Sequence, residues 1–215
     1  MVDQSLLGLA RRLGNPLANA GGHPHPTAVA VRDALDAYRE GHRRHHTTQH
    51  LREMVVEVAR LEGAVPPAVA GAIIFHDVVY DPARDDNERA SADRARVDLA
   101  GLVAEELVST VVRLVLLTAE HEVHDDDALG ALVVDADLWI LTSPPQRYDR
   151  YVQDVRREYA HLDEATWRQG RAEVLTHLRA RMDAQGFLAG ERSDRSARTR
   201  RAVANIEREL HTLEA

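Results

Sequence analysis

The chain is expected to fold as a single all-α domain over residues 1–215, with roughly eight to ten helices. Three observations point there. Apolar residues recur at helical spacing almost throughout, no alternating run bounded by hairpin signals stands out, and breakers fall at intervals between the periodic segments. The length suits one well-cored domain and is short for two. A composition of 44% hydrophobic and 29% charged residues is that of a globular chain rather than a disordered one.

Taken in order, residues 14–26 (GNPLANAGGHPHP) have linker-like composition and are expected to form a flexible loop, with His23 and His25 as solvated loop residues. Leu51, Met54, Val55, Val58 and Leu61 make one helical stripe. Leu107, Val111, Leu114 and Val115 make a second, and Val152, Val155, Tyr159 and Leu162 a third. Ala172, Leu175 and Leu178 mark a fourth, and Val203, Ile206 and Leu210 carry the C-terminal helix. Breakers at 63–67, 82–86, 121–127 and 143–145 separate them. The stretch 129–141 is apolar and β-branched enough to resemble a strand, and is read as helical from its surroundings. The arginine-rich run 192–201 alternates with Ser, Asp and Thr and reads as a solvated helix face.

Composition also excludes chemistries. Without cysteine there are no disulfides, thiolate metal sites or Cys nucleophiles. All 27 basic residues are arginine, so Schiff-base chemistry and the lysine of a phosphate-binding loop are absent. No G-x-G-x-x-G or G-x-S-x-G occurs. A net charge of −8 gives no overall attraction to nucleic acid or anionic membrane. The longest apolar stretches fall far short of the roughly 20 residues of a membrane span. The expected setting is therefore cytoplasmic, with no membrane or stable nucleic-acid partner. Isolated apolar residues such as Trp139 and Trp167 fit a monomer or a homodimer.

Histidine is abundant, and twelve are unevenly placed. His42, His45, His46 and His50 fall within nine residues, and the i, i+4 spacing of His46 and His50 would put them on one helix face. His76-Asp77 ends a strongly apolar segment, and Asp135 and Asp137 lie inside another. An ionised carboxylate in an apolar interior needs a paired charge or a metal. Three segments thus bring imidazoles and carboxylates inward, a mixed nitrogen and oxygen set suited to Mn, Fe, Zn or Mg.

The order H…HD…D in a helical chain of this size resembles the HD superfamily of metal-dependent phosphohydrolases, and its small bacterial branch in particular. The residues carrying the resemblance are Tyr38, Glu40, His42, Arg43, His46 and His50; Phe75-His76-Asp77 with Tyr80-Asp81-Pro82; Asp86-Asn87-Glu88 with Ser91; and Asp135-Ala136-Asp137-Leu138. Glu158, Gly170-Arg171, and Asn205 with Glu209 fall in later matching stretches, so the likeness covers nearly the whole chain.

The resemblance implies His50, His76, Asp77 and Asp137 as ligands of a divalent metal (Mn, Fe, Zn, Mg, Co or Ni), with Asp135 the alternative last ligand. It implies His46 as proton donor to a leaving group, Arg43 and Arg171 as phosphate-binding residues, and Asp81 as the group orienting water. His121 is a further candidate, for a second ion. The implied activity is hydrolysis of a phosphoester in a small molecule, with a nucleotide the favoured class, and the alternative is a non-catalytic metal- or nucleotide-binding module. Tyr80 stands where guanosine tetraphosphate hydrolases of the superfamily keep Glu, which argues against that activity. Asp85-Asp86-Asn87 before Glu88 reads as a helix N-cap.

Overall fold

A computed structural model describes residues 26–214 together with Leu6, Gly8 and Leu13. The loop expected over 14–26, with His23 and His25, lies outside these except for Pro26. Nine α-helices are seen among the described residues: α1 (Pro26–Ala37), α2 (Thr48–Glu62), α3 (Pro67–Phe75), α4 (Asn87–Leu99), α5 (Glu105–Glu120), α6 (Ala128–Asp137), α7 (Pro145–Glu158), α8 (Glu164–Ala184) and α9 (Arg192–Glu214). A 3₁₀ helix (Leu138–Thr142) continues directly from α6. There is no strand among the described residues, so the all-α expectation holds and the ambiguous 129–141 stretch is helical.

α3 is the hub, with every residue from Ala68 to Phe75 buried. A helix apolar on all sides must be surrounded, and α1, α2, α4, α5 and α6 pack around it. Gly71 is the point of closest approach: a Cβ there would lie 2.5 Å from Val111 Cγ2 of α5, so glycine is required for the two helices to meet. α2 starts at Thr47, whose side chain accepts from the Gln49 N–H, and ends at Gly63 in the left-handed region, a favoured helix stop. α8 and α9 form a second layer, which α9 anchors on the 3₁₀ helix. No helix among the described residues is long and apolar enough to cross a membrane.

Three local expectations change. The third stripe runs past its helix, since α7 stops at Glu158. Asp86 occupies the N-cap of α4 but caps nothing, because its carboxylate binds Arg84 and Arg89 instead. The arginine-rich start of α9 is not wholly solvated. Arg198 is buried and reaches Glu57 at 3.3 Å and Asp135 at 3.4 Å, besides the Ala189 carbonyl.

Candidate metal centre

The His76-Asp77 pair sits where α3 ends, so a helix buried from Ala68 to Phe75 delivers it to the interior. The turn that follows is pinned on every side. The Tyr38 hydroxyl donates to the Ile74 carbonyl at 3.0 Å and accepts from the Asp77 N–H at 3.1 Å. Arg43 donates to the Asp77 carbonyl at 2.7 Å and the Val78 carbonyl at 3.3 Å. Ser91 exchanges hydrogen bonds with Val79, and Asn87 does the same with Asp81. Side chains of α4 thus take up backbone groups that the end of α3 leaves free.

His50 comes from the first turn of α2, and Asp137 from the last residue of α6, where the backbone tightens into the 3₁₀ helix. His50, His76 and Asp137 converge so that one donor atom from each lies within 4.8 Å of the others. His50 Nε2 is 3.2 Å from His76 Nε2 and 3.0 Å from Asp137 Oδ1. Asp77 Oδ2 is 3.0 Å from the same His76 nitrogen. Ligands about 2.1 Å from one ion lie about 3.0–3.4 Å apart when adjacent, so these spacings suit a shared cation. The tautomer fits too: His76 Nδ1 donates to the Ile73 carbonyl at 3.1 Å, which turns the Nε2 lone pair to the cluster. The group can therefore hold a metal ion.

The electrostatics agree with the donor set. Burial alone would raise Asp137, but hydrogen bonds from His121 and His50 hold it well below the usual carboxylate range. Burial disfavours a charged His76, yet Asp77 and Asp137 outweigh it and push the imidazole up to about 9. A buried and a partly buried carboxylate here demand a positive charge, as a proton or as a cation.

Asp135, the alternative last ligand, faces elsewhere. It accepts from the Leu188 and Ala189 N–H groups at 2.9 and 2.8 Å and lies beside Arg198. His121 instead joins the cluster: its Nε2 donates to Asp137 Oδ2 at 3.0 Å. It is also the one non-glycine residue among those described with a left-handed φ, 56°, at the C-cap of α5. Such a conformation in a bulky residue directs attention to what it positions.

His46 and His50 do not share a helix, because α2 begins only at Thr48. Glu158 supplies the reason. Its Oε1 accepts from the backbone N–H groups of Arg44, His45 and His46 at 2.5, 2.8 and 3.0 Å, which holds this segment in a non-helical loop. Its Oε2 accepts from His46 Nδ1 at 2.7 Å and from the Tyr80 hydroxyl at 3.0 Å. The His46 ring stacks near Tyr80, with centroids 4.1 Å apart. Burial would raise Glu158, but the hydrogen bonds from His46 and the backbone amides hold it down to about 2. Burial likewise works against a charged His46, and Glu158 and Asp77 override it, raising the imidazole. Sequence reasoning gave Glu158 no role. Its only signal was its place in a stretch matching the family, and its partners at 44–46 lie over a hundred residues away.

The other expected residues fare differently. Arg43 is buried, and besides Asp77 and Val78 it binds Glu40 at 2.9 Å and sits against the rings of Tyr38 and Tyr80, so a phosphate would have to displace these partners. Asp81 is exposed and accepts from the Ala83 N–H, the geometry of a turn rather than of a group held towards the cluster. Arg171 does line the adjoining cavity, where Glu209 holds it at 2.8 and 3.1 Å and Tyr151 at 3.1 Å. That cavity, about 480 Å³, is bounded at one end by His46, Asp77, His121 and Asp137. Trp167, read as an isolated apolar residue, forms part of its wall.

No protein-family model matches the chain, and neither does any curated protein or solved structure. The functional reading therefore rests on the residues themselves.

Proposed function

We propose that this chain is a metal-dependent phosphohydrolase of the HD kind, acting on a phosphoester of a small molecule, with nucleotides the first class to test. What carries the reading is the juxtaposition of two devices on one cavity. One is the His50, His76, Asp137 group with Asp77 beside it, and the other is His46 held by Glu158. The first would hold a divalent cation (Mn, Fe, Zn, Mg, Co or Ni); bound there, it supplies Lewis-acid chemistry that polarises a phosphoryl group and makes water more acidic.

The chain's own residues do the rest. Glu158 fixes the His46 ring and ties up Nδ1, so Nε2 is the nitrogen left for substrate. One water adds its oxygen to phosphorus, the P–O bond to the leaving group breaks, and His46 gives the departing oxygen its proton. The proton lost by water returns through solvent to His46, giving one alcohol and one phosphate per water consumed. Arg171 lines the cavity wall, where it would meet the phosphoryl oxygens while still held by Glu209 and Tyr151.

The test is turnover of p-nitrophenyl phosphate and an alkyl phosphate with each of these metals. Chelator or Asp137→Ala should abolish both activities. His46→Ala should lower kcat by about 10²–10⁴ for the alkyl ester and much less for p-nitrophenyl phosphate, whose leaving group needs no proton. Metal binding without turnover of any ester would favour the sensing module, and turnover indifferent to chelator would contradict the metal role.

A further inference from the structure

The α8 wall of the cavity has a chemistry of its own. On α8, Trp167, Gly170, Arg171, Val174 and Leu178 follow helical spacing, and this one stripe lines the cavity wall. Val174 is 50% exposed, a large apolar side chain left for something to cover. Tyr159 stands against Trp167, with ring centroids 5.6 Å apart. Flat, apolar matter fits such a wall better than a sugar or a short polyol.

Gly170 is informative in the middle of this stripe. Its φ is not left-handed, and a Cβ there would meet no atom within 4 Å, so neither backbone nor packing requires glycine. Glycine inside a helix is nonetheless about 1 kcal/mol worse than alanine. What its missing side chain provides is room on the cavity wall between Trp167 and Val174.

Charge limits the other end of the ligand. The two arginines on the wall are already committed, Arg171 to Glu209 and Arg84 to Asp86 at 2.8 Å. Asp85 and Glu88 also line the cavity, and the chain has no lysine to meet further phosphates. A second or third phosphoryl group would find no uncommitted arginine among the described residues of the wall.

We infer that the cavity takes a phosphomonoester with one phosphoryl group and a flat, apolar body lodged against α8, and that Gly170 sets how much body fits. The inference rests on the phosphohydrolase reading for the phosphoryl end alone. The test separates the two by measuring binding as well as turnover. In a Trp139→Phe background, which leaves Trp167 as the only tryptophan, 1-naphthyl phosphonate should quench fluorescence. It should bind roughly 10-fold or more tighter than methylphosphonate, the value of burying one ring system. Gly170→Leu should cancel that advantage, leave methylphosphonate binding unchanged and raise the melting temperature.

In turnover, 1-naphthyl phosphate and adenosine monophosphate should both exceed glycerol 2-phosphate and adenosine triphosphate, and their ranking tells an aryl body from a nucleobase. Naphthyl and methyl probes binding alike, the triphosphate matching the monophosphate, or Gly170→Leu weakening both phosphonates equally would each overturn the inference. Selective naphthyl phosphonate binding with no ester hydrolysed would support the pocket and contradict the hydrolase.

Discussion

Asp135 and Asp137 are two residues apart on α6, about 200° around the helix from each other. Both point inward, yet their surroundings are opposites. Asp135 faces a closed network: two backbone N–H groups, Arg198 at 3.4 Å, Arg181 at 3.8 Å, and Glu57 sharing Arg198. Burial wins there and pushes Asp135 up to about 6 in spite of those partners. Asp137 faces His50 and His121 at 3.0 Å each, on an open cavity. Arginine keeps its proton at any ordinary pH, so the cationic side of the Asp135 network is permanent. Imidazole can give its proton up and offer a lone pair, so the Asp137 cluster can exchange protons for a cation. One carboxylate holds the fold together, and the other is available for chemistry.

The largest expected effect breaks the closed side. Asp135→Ala leaves Arg181 buried without its acid and Arg198 with Glu57 and Asp194 alone, and should cost about 3–5 kcal/mol in urea unfolding. Asp137→Ala, on the open side, should cost about 1–2 kcal/mol, because it removes hydrogen bonds from His50 and His121 and strands no buried guanidinium.

Glu158 belongs to both kinds, since it organises a loop and orients His46. Held down to about 2 against an ordinary value near 4.3, it contributes about 3 kcal/mol at neutral pH. A depressed folded-state pKa means this contribution is present above about pH 4.5 and fades as pH falls towards 2. The difference in unfolding free energy between wild type and Glu158→Gln, followed from pH 7 to pH 2.5, should shrink accordingly. A smaller effect sharpens the open side: Tyr38→Phe removes the hydroxyl that joins Ile74 to Asp77 and should cost about 1–2 kcal/mol. Arg94→Ala breaks an exposed pair with Asp98 and should change stability by under about 0.5 kcal/mol, the control that shows burial to be decisive.

Much of this was legible in the chain. Helical spacing and breakers are local signals, so the helix class and most boundaries followed from them. His76 and Asp137 were legible because each lies in an apolar run, where a polar residue needs a reason, and His50 because it belongs to a cluster of four histidines. Residues whose role is set by distant partners were not. Glu158 looks like one acid on a charged helix until α7 packs against the 44–46 loop. Arg198 looks solvated until α9 folds over Asp135. Arg43 has the residue type of a phosphate clamp, and only the fold shows its guanidinium occupied by the carbonyls of the turn it pins. Trp167 and Gly170 carry no chemical signal, and their meaning lies in the cavity they border.

Elemental analysis of metal-loaded, desalted protein tests the contrast most directly, with wild type, Asp135→Asn and Asp137→Ala compared at equal folded concentration. About one equivalent of a divalent metal in wild type and Asp135→Asn, and none in Asp137→Ala, is the expected result. Metal retained in Asp137→Ala, or lost equally in folded Asp135→Asn, would contradict the division of labour between the two carboxylates.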